Sequence, residues 1–173
     1  MIVRQERVED IDAVGAVVEA AFRGANPHGK GEYIPTEHLM IAALRRDDAL
    51  TLGLVAEDGG TIVGHIAFSP VLIDGRSQGW HGLAPLAVRP DRQRTGIGAS
   101  LVREGLVRLT ASGSKGCVVL GDPSYYSRFG FGPHAQLRLE GVPPQYFMAQ
   151  SFADAVPSGV VTYHDAFTRP HTA

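Results

Sequence analysis

The sequence predicts an α/β domain of the α+β type, built on a mixed but mainly antiparallel sheet. Three observations carry that expectation. Apolar residues recur at helical spacing as far as Leu44, and from Thr51 the period changes to β-rich runs. Two turn strings, Asp58-Gly59-Gly60 and Asp74-Gly75, punctuate those runs and predict an antiparallel meander. Beyond them a strand, a helix and another strand follow in order, the crossover that sets two strands parallel.

The elements follow from local pattern. Residues 1–5 read as a short strand. Residues 10–22 read as a helix, with Ile11, Val14, Val17, Val18 and Ala21 on one face. A glycine- and proline-bearing loop covers residues 24–35. Thr36 looks like the N-cap of a second helix carrying Leu39, Met40, Ala43 and Leu44. Residues 51–57, 61–73 and 78–88 are the three strands of the meander. A helix over 97–111 presents Ile97, Leu101, Val102, Leu106 and Leu109, and the run Cys117-Val118-Val119-Leu120 is the next strand. A short helix over 123–128 closes at Gly130, and strands are expected near 146–152 and 160–163. No repeat, low-complexity tract or linker divides the chain, so residues 1–173 read as one domain.

Composition excludes several classes of function. With 16 basic and 18 acidic side chains, no global field points to nucleic acid or an anionic membrane. The single cysteine, Cys117, rules out an internal disulfide and fits a reducing compartment. Charges at the N-terminus do not suit a secretory signal, and no run approaches a membrane span. A cytoplasmic protein is expected, with no nucleic-acid or membrane partner. The seven histidines lack metal-ligand spacing, so no metal site is expected.

The most telling stretch runs from Val88 to Leu101. An apolar strand passes through a cationic loop into a helix begun by glycines. The first turn of a helix offers unpaired backbone N–H groups to an anion. Gly96 and Gly98 keep side chains away from that spot, and Arg92 and Arg94 bring positive charge to it. A phosphorylated ligand is expected there. The dinucleotide pattern G-x-G-x-x-G fails, because Leu101 stands in the last glycine's place. A string close to a nucleotide P-loop, Gly24 to Lys30, fails as well. It follows a helix, and Gly31 supplies no hydroxyl for magnesium.

What remains is Gln93-Arg94-Thr95-Gly96-Ile97-Gly98, which resembles the Q/R-x-x-G-x-G/A signature of the GCN5-related N-acetyltransferase (GNAT) family. Leu86-Ala87-Val88-Arg89-Pro90 is similar to that family's fourth strand and its exit. Gly121-Asp122-Pro123-Ser124-Tyr125-Tyr126-Ser127-Arg128-Phe129-Gly130-Phe131 resembles its second motif in a subgroup of predicted acetyltransferases. The tail strings Val142-Pro143-Pro144 and Val161 to Phe167 fit the same subgroup. The resemblance covers nearly the whole chain. It implies the GNAT fold, with helices on both faces of the sheet and a parallel, splayed pair of fourth and fifth strands. It also implies acetyl-CoA as cosubstrate and direct acetyl transfer to a small-molecule or peptide amine, or to a hydroxyl. The alternative is a module that senses acyl-CoA without turnover.

Carried onto this sequence, the resemblance gives Gln93, Arg94, Thr95, Gly96, Ile97, Gly98 and Ala99 to the pyrophosphate. Pro85 lacks an N–H and implies a bulge in the fourth strand. Backbone groups of Leu86, Ala87 and Val88 are then the candidates for the pantetheine arm, with the Leu86 N–H as oxyanion donor. Tyr126 falls where the family places its general acid, and Tyr125 reads as a packing residue. Many relatives carry a glutamate early in the fourth strand, but this chain has Trp80-His81-Gly82. The base stays open among His81, His65, Glu57, Asp122 and water. A homodimer through the C-terminal strands also stays open.

Overall fold

The computed structural model describes residues 1–23 and 34–170. The P-loop-like string at 24–30 lies outside the described residues. Strand β1 (Ile2–Gln5) leads into helix α1 (Ile11–Arg23), and α2 (Glu37–Arg46) precedes the meander β2 (Leu52–Asp58), β3 (Thr61–Ile73) and β4 (Arg76–Val88). Helix α3 (Ile97–Ala111), strand β5 (Gly116–Leu120) and the single turn α4 (Pro123–Tyr126) follow, then β6 (Leu137–Arg138), β7 (Phe147–Ser151) and β8 (Gly159–Thr162). The sheet runs β1-β2-β3-β4-β5-β7, with β8 against the far end of β3. Only β4 and β5 are parallel on that path; their neighbours pair antiparallel.

Both meander turns are made by left-handed residue pairs, Gly59-Gly60 at φ 57° and 78° and Asp74-Gly75 at φ 48° and 71°. That geometry matches the twist of the flanking strands. Strand β4 starts at Arg76, ahead of the expected 78, because its register with β3 runs right up to the turn. The expected helix over 123–128 tightens after Tyr126 into a 3₁₀ turn over Ser127–Phe129, which left-handed Gly130 closes at φ 91°. Thr36 does occupy the N-cap of α2, but its side chain caps nothing.

Helices cover both faces. Leu101 and Val102 of α3 pack on Leu54, Ile66, Phe68 and Leu83. On the opposite face Val14, Val18 and Ile41 of α1 and α2 meet Val55 and Ala87. Each such side chain, fully buried, stabilises the fold by about 1.5–3 kcal/mol. A third cluster, Trp80, Val118, Phe147 and Val161, pins the C-terminal strands to the central sheet.

The feature that positions everything else is a fork. Pairing between β4 and β5 covers Trp80–Gly116, His81–Cys117 and Gly82–Val118, and then stops. Just past it, Ala84 and Pro85 together face the single residue Ala67 of β3, between the pairs Phe68–Leu83 and Ile66–Leu86. This is the bulge that Pro85 predicts, with a cis Ala84–Pro85 bond. Strand β5 stays paired with β7 along its whole length, so the gap opens on its β4 side only.

Candidate active site

Beyond the fork, β4 keeps its ladder with β3 and presents its other edge to the gap. Arg89 N–H donates to Val63 O at 2.9 Å, which fixes the phase of the ladder. Antiparallel pairs alternate between bonded and non-bonded. By that alternation Ala87 spends its backbone groups on His65, while Leu86 and Val88 turn theirs toward the gap. Val88 O is met there by Gln93 Nε2 at 3.1 Å. Ala87 is therefore set apart from its neighbours, with its side chain in the α1 cluster.

The chain then turns into α3 through Arg94 at φ 60° and Gly96 at φ 91°, both left-handed. Ser100 N–H is the first in the helix to reach a backbone carbonyl, Gly96 O at 3.0 Å. The N–H groups of Ile97, Gly98 and Ala99 are thus left free at a positive helix end. A cleft of about 520 Å³ opens at this point, lined by Leu86, Val88, Gln93, Arg94, Gly96, Gly98, Ala99, Tyr125 and Arg128. Seven residues expected at the ligand thus share one cleft. Ile97 is instead in the core, and the Thr95 hydroxyl donates to Arg92 O at 2.6 Å.

The structure adds two residues and removes one. Tyr125 packs on the core as expected and also lines the cleft. Its hydroxyl is the nearest atom to the place a side chain on Gly98 would occupy. Arg128 lays its guanidinium 4.1 Å from the centre of the Tyr125 ring, donates through Nε to Tyr125 O at 3.0 Å, and lines the same cleft. Arg92, counted from sequence as a cation for the ligand, is bound to Asp58. No motif spacing flagged Arg128; the signal was its place three residues after Tyr125 on the same short turn.

Tyr126 packs edge-on against Tyr125 and Phe131, with ring centres 5.0 and 5.9 Å away, and its ring covers Gly121. Burial, and to a lesser degree Tyr125 and Cys117, push its phenol far above the ordinary range, so it stays protonated. Cys117 is fully buried, and burial raises its thiol in the same way.

Each of the four candidate bases has a hydrogen-bond or ion-pair partner, and none lines the cleft. His65 is completely buried on β3, with Nε2 2.7 Å from Glu6 Oε2. Burial keeps its imidazole neutral despite that carboxylate, so Nε2–H donates and Nδ1 is left without a partner. His81 pairs through Nδ1 with Ser114 Oγ at 2.8 Å, and burial lowers its pKa. Glu57 is bound by Arg4 at 2.8 Å. Asp122 caps α4, accepting from Ser124 N at 2.9 Å. Among the described residues no cluster of histidine, cysteine, aspartate and glutamate could hold a metal ion.

A forked parallel pair, a free edge of β4 and an anion-ready helix start define the GNAT class of acetyltransferases. Comparison with known proteins places the chain there. Residues 50–133 match the acetyltransferase (GNAT) domain. The chain is 37% identical over 176 residues to the uncharacterized N-acetyltransferase YhbS of Escherichia coli K12, covering 98% of this chain and 99% of that protein. A crystal structure of a GNAT family acetyltransferase from Brucella melitensis in complex with acetyl-CoA is 45% identical, with a TM-score of 0.83 over 96% of this chain and 97% of that one. Escherichia coli YhbS in complex with CoA gives 36% identity and a TM-score of 0.87, over 97% and 92% of the two chains. The protein belongs to the GNAT acetyltransferase family and is an N-acetyltransferase of that family.

Proposed function

We propose that acetyl-CoA lies along the cleft, with its pyrophosphate on the free N–H groups of Ile97, Gly98 and Ala99, and that its acetyl group passes directly to an amine. A hydroxyl acceptor is the secondary reading. The observation that carries this is the continuity of the open β4 edge with the anion-ready start of α3. Gln93, Arg94, Thr95 and Gly96 shape the phosphate loop, and Arg94 and Arg128 supply its charge. The backbone groups of Leu86 and Val88 take the place of a missing strand for the two amides of the pantetheine arm. Solved relatives holding acetyl-CoA or CoA support the choice of ligand.

The chemistry adds Tyr126, which packs against the cleft-lining Tyr125. The acceptor nitrogen attacks the thioester carbon, and the oxyanion that forms takes the Leu86 N–H, a donor worth about 3 kcal/mol in the transition state. The C–S bond then breaks, and Tyr126 gives its proton to the departing sulfur. Water carries the nitrogen's proton away and returns one to Tyr126 in this reading, since none of His65, His81, Glu57 and Asp122 lines the cleft.

Residues 1–173 form one catalytic domain in this reading. The acceptor is a small molecule or a peptide amine. A lone buried cysteine fits a cytoplasmic enzyme, and among the described residues no helix is long and apolar enough to cross a membrane. Calorimetry with acetyl-CoA, followed by thiol release on a panel of amines, tests the proposal. Micromolar binding with turnover is expected. Absence of binding would overturn it, and binding without thiol release would mark a sensor.

A further inference from the structure

Gly82 is the last residue of β4 paired with β5, and one face of it is covered in an unusual way. A Cβ on Gly82 would come within 2.4 Å of Tyr163 Cε1 and 3.1 Å of Val71 Cγ1, so the Tyr163 ring fills the space a side chain would take. Tyr163 follows β8, which is held to the end of β3 by the pairs Leu72–Thr162 and Ile73–Val161. Its ring rests on Phe167, with centres 5.1 Å apart. Directly across the ladder from Gly82 stands Ser69. Opposed residues of an antiparallel pair project to the same face. Ser69 and Tyr163 therefore sit side by side on the α1 and α2 side of the fork.

Both hydroxyls are orphaned. Ser69 is completely buried, and neither its Oγ nor the buried Oη of Tyr163 has a hydrogen-bond partner. A buried polar group left unpaired destabilises a fold, so two of them beside a strand fork require an explanation. Gly82, covered by the Tyr163 ring, belongs to the last pair before β4 and β5 part, so the ring borders the mouth of the fork. A primary amine has two N–H groups to donate and a lone pair to keep. A hydroxyl or a secondary amine has a single hydrogen to donate.

We propose that Ser69 Oγ and Tyr163 Oη form the acceptor-nitrogen site, each accepting one N–H of a primary amine so that its lone pair faces the thioester. This inference rests on the acetyl-transfer reading above and narrows the acceptor to that class.

The experiment uses the full chain, with acetyl-CoA as donor and hydroxylamine as a minimal NH₂ nucleophile, in wild type, Tyr163→Phe and Ser69→Ala. Each variant should raise the hydroxylamine KM about tenfold, the usual worth of one hydrogen bond, and leave the calorimetric Kd for acetyl-CoA within about twofold. Each should also melt at a higher temperature than wild type, because an unpaired buried hydroxyl is removed. A hydroxyl with a purely structural role would lower the melting temperature and leave KM alone, and that result overturns the proposal. So would a wild-type protein that binds acetyl-CoA and does not acetylate hydroxylamine. Loss of acetyl-CoA binding in the wild type would instead sink the acetyl-transfer reading.

Discussion

The hydroxyl of Tyr125 stands where a side chain on Gly98 would have to go: a Cβ at Gly98 would come within 2.7 Å of it. The glycine in the loop signature thus makes room for a neighbouring aromatic ring as well as for a ligand. Gly98→Ala should push that ring toward the cleft and raise the Kd for acetyl-CoA about tenfold. Adding Tyr125→Phe should recover most of the loss, which a calorimetric double-mutant cycle would read as coupling.

Gly96 differs from Gly98 in the reason it must be glycine. No atom blocks a side chain there, but φ is 91°, which an L side chain rarely adopts. Gly96→Ala should destabilise the protein by about 1–2 kcal/mol in urea unfolding. No second substitution at Tyr125 should rescue it.

The three arginines of the region separate by their partners. Arg94→Ala and Arg128→Ala should each weaken acetyl-CoA about tenfold, and added salt should shrink the difference. Arg92→Ala should leave the Kd within about twofold, since Arg92 is bound to Asp58. Calorimetry at two ionic strengths distinguishes these outcomes.

Tyr126→Phe should keep the affinity for acetyl-CoA and lower kcat about a hundredfold, the usual reach of one general acid. Because burial holds the phenol protonated, kcat should show no alkaline fall from Tyr126 up to about pH 10. Equal kcat values in the two proteins would remove Tyr126 from the reaction.

Glu6 links three elements, binding Arg45 of α2 at 2.8 Å and His65 of β3 at 2.7 Å. Burial pushes its carboxyl up, but the hydrogen bonds from His65 and Arg45 prevail and hold it at about 2, against an ordinary 4.5. Its folded pKa is depressed, so its stabilisation is full above pH 4.5 and is lost as pH falls toward 2. The contribution is about 3 kcal/mol. Urea unfolding across that window should show the decline, and Glu6→Gln should flatten it while lowering stability at neutral pH.

Local pattern was enough for the backbone of the site. Pro85 announced the bulge because it has no N–H to give, and Gly96-Ile97-Gly98 announced the helix start because few other sequences tolerate that turn. Side-chain partnerships were harder to read. Nothing near Arg92 in sequence foretells Asp58, and nothing near His65 foretells Glu6, since those pairs join segments distant in the chain. Tyr125 packs on the core as its sequence suggests and also lines the cleft, which its sequence does not show. A single helical turn has two sides, and which one meets α3 depends on how β5 enters it.

The ring that plugs the hollow at Gly82 belongs to the last stretch of the chain, beyond residues 50–133 that match the shared family domain. The wall at the end of the fork is thus written in sequence outside the matched family domain. Grafting the C-terminal segment of one relative onto another would carry that wall, and any preference written on it, to an unchanged grip on the cofactor.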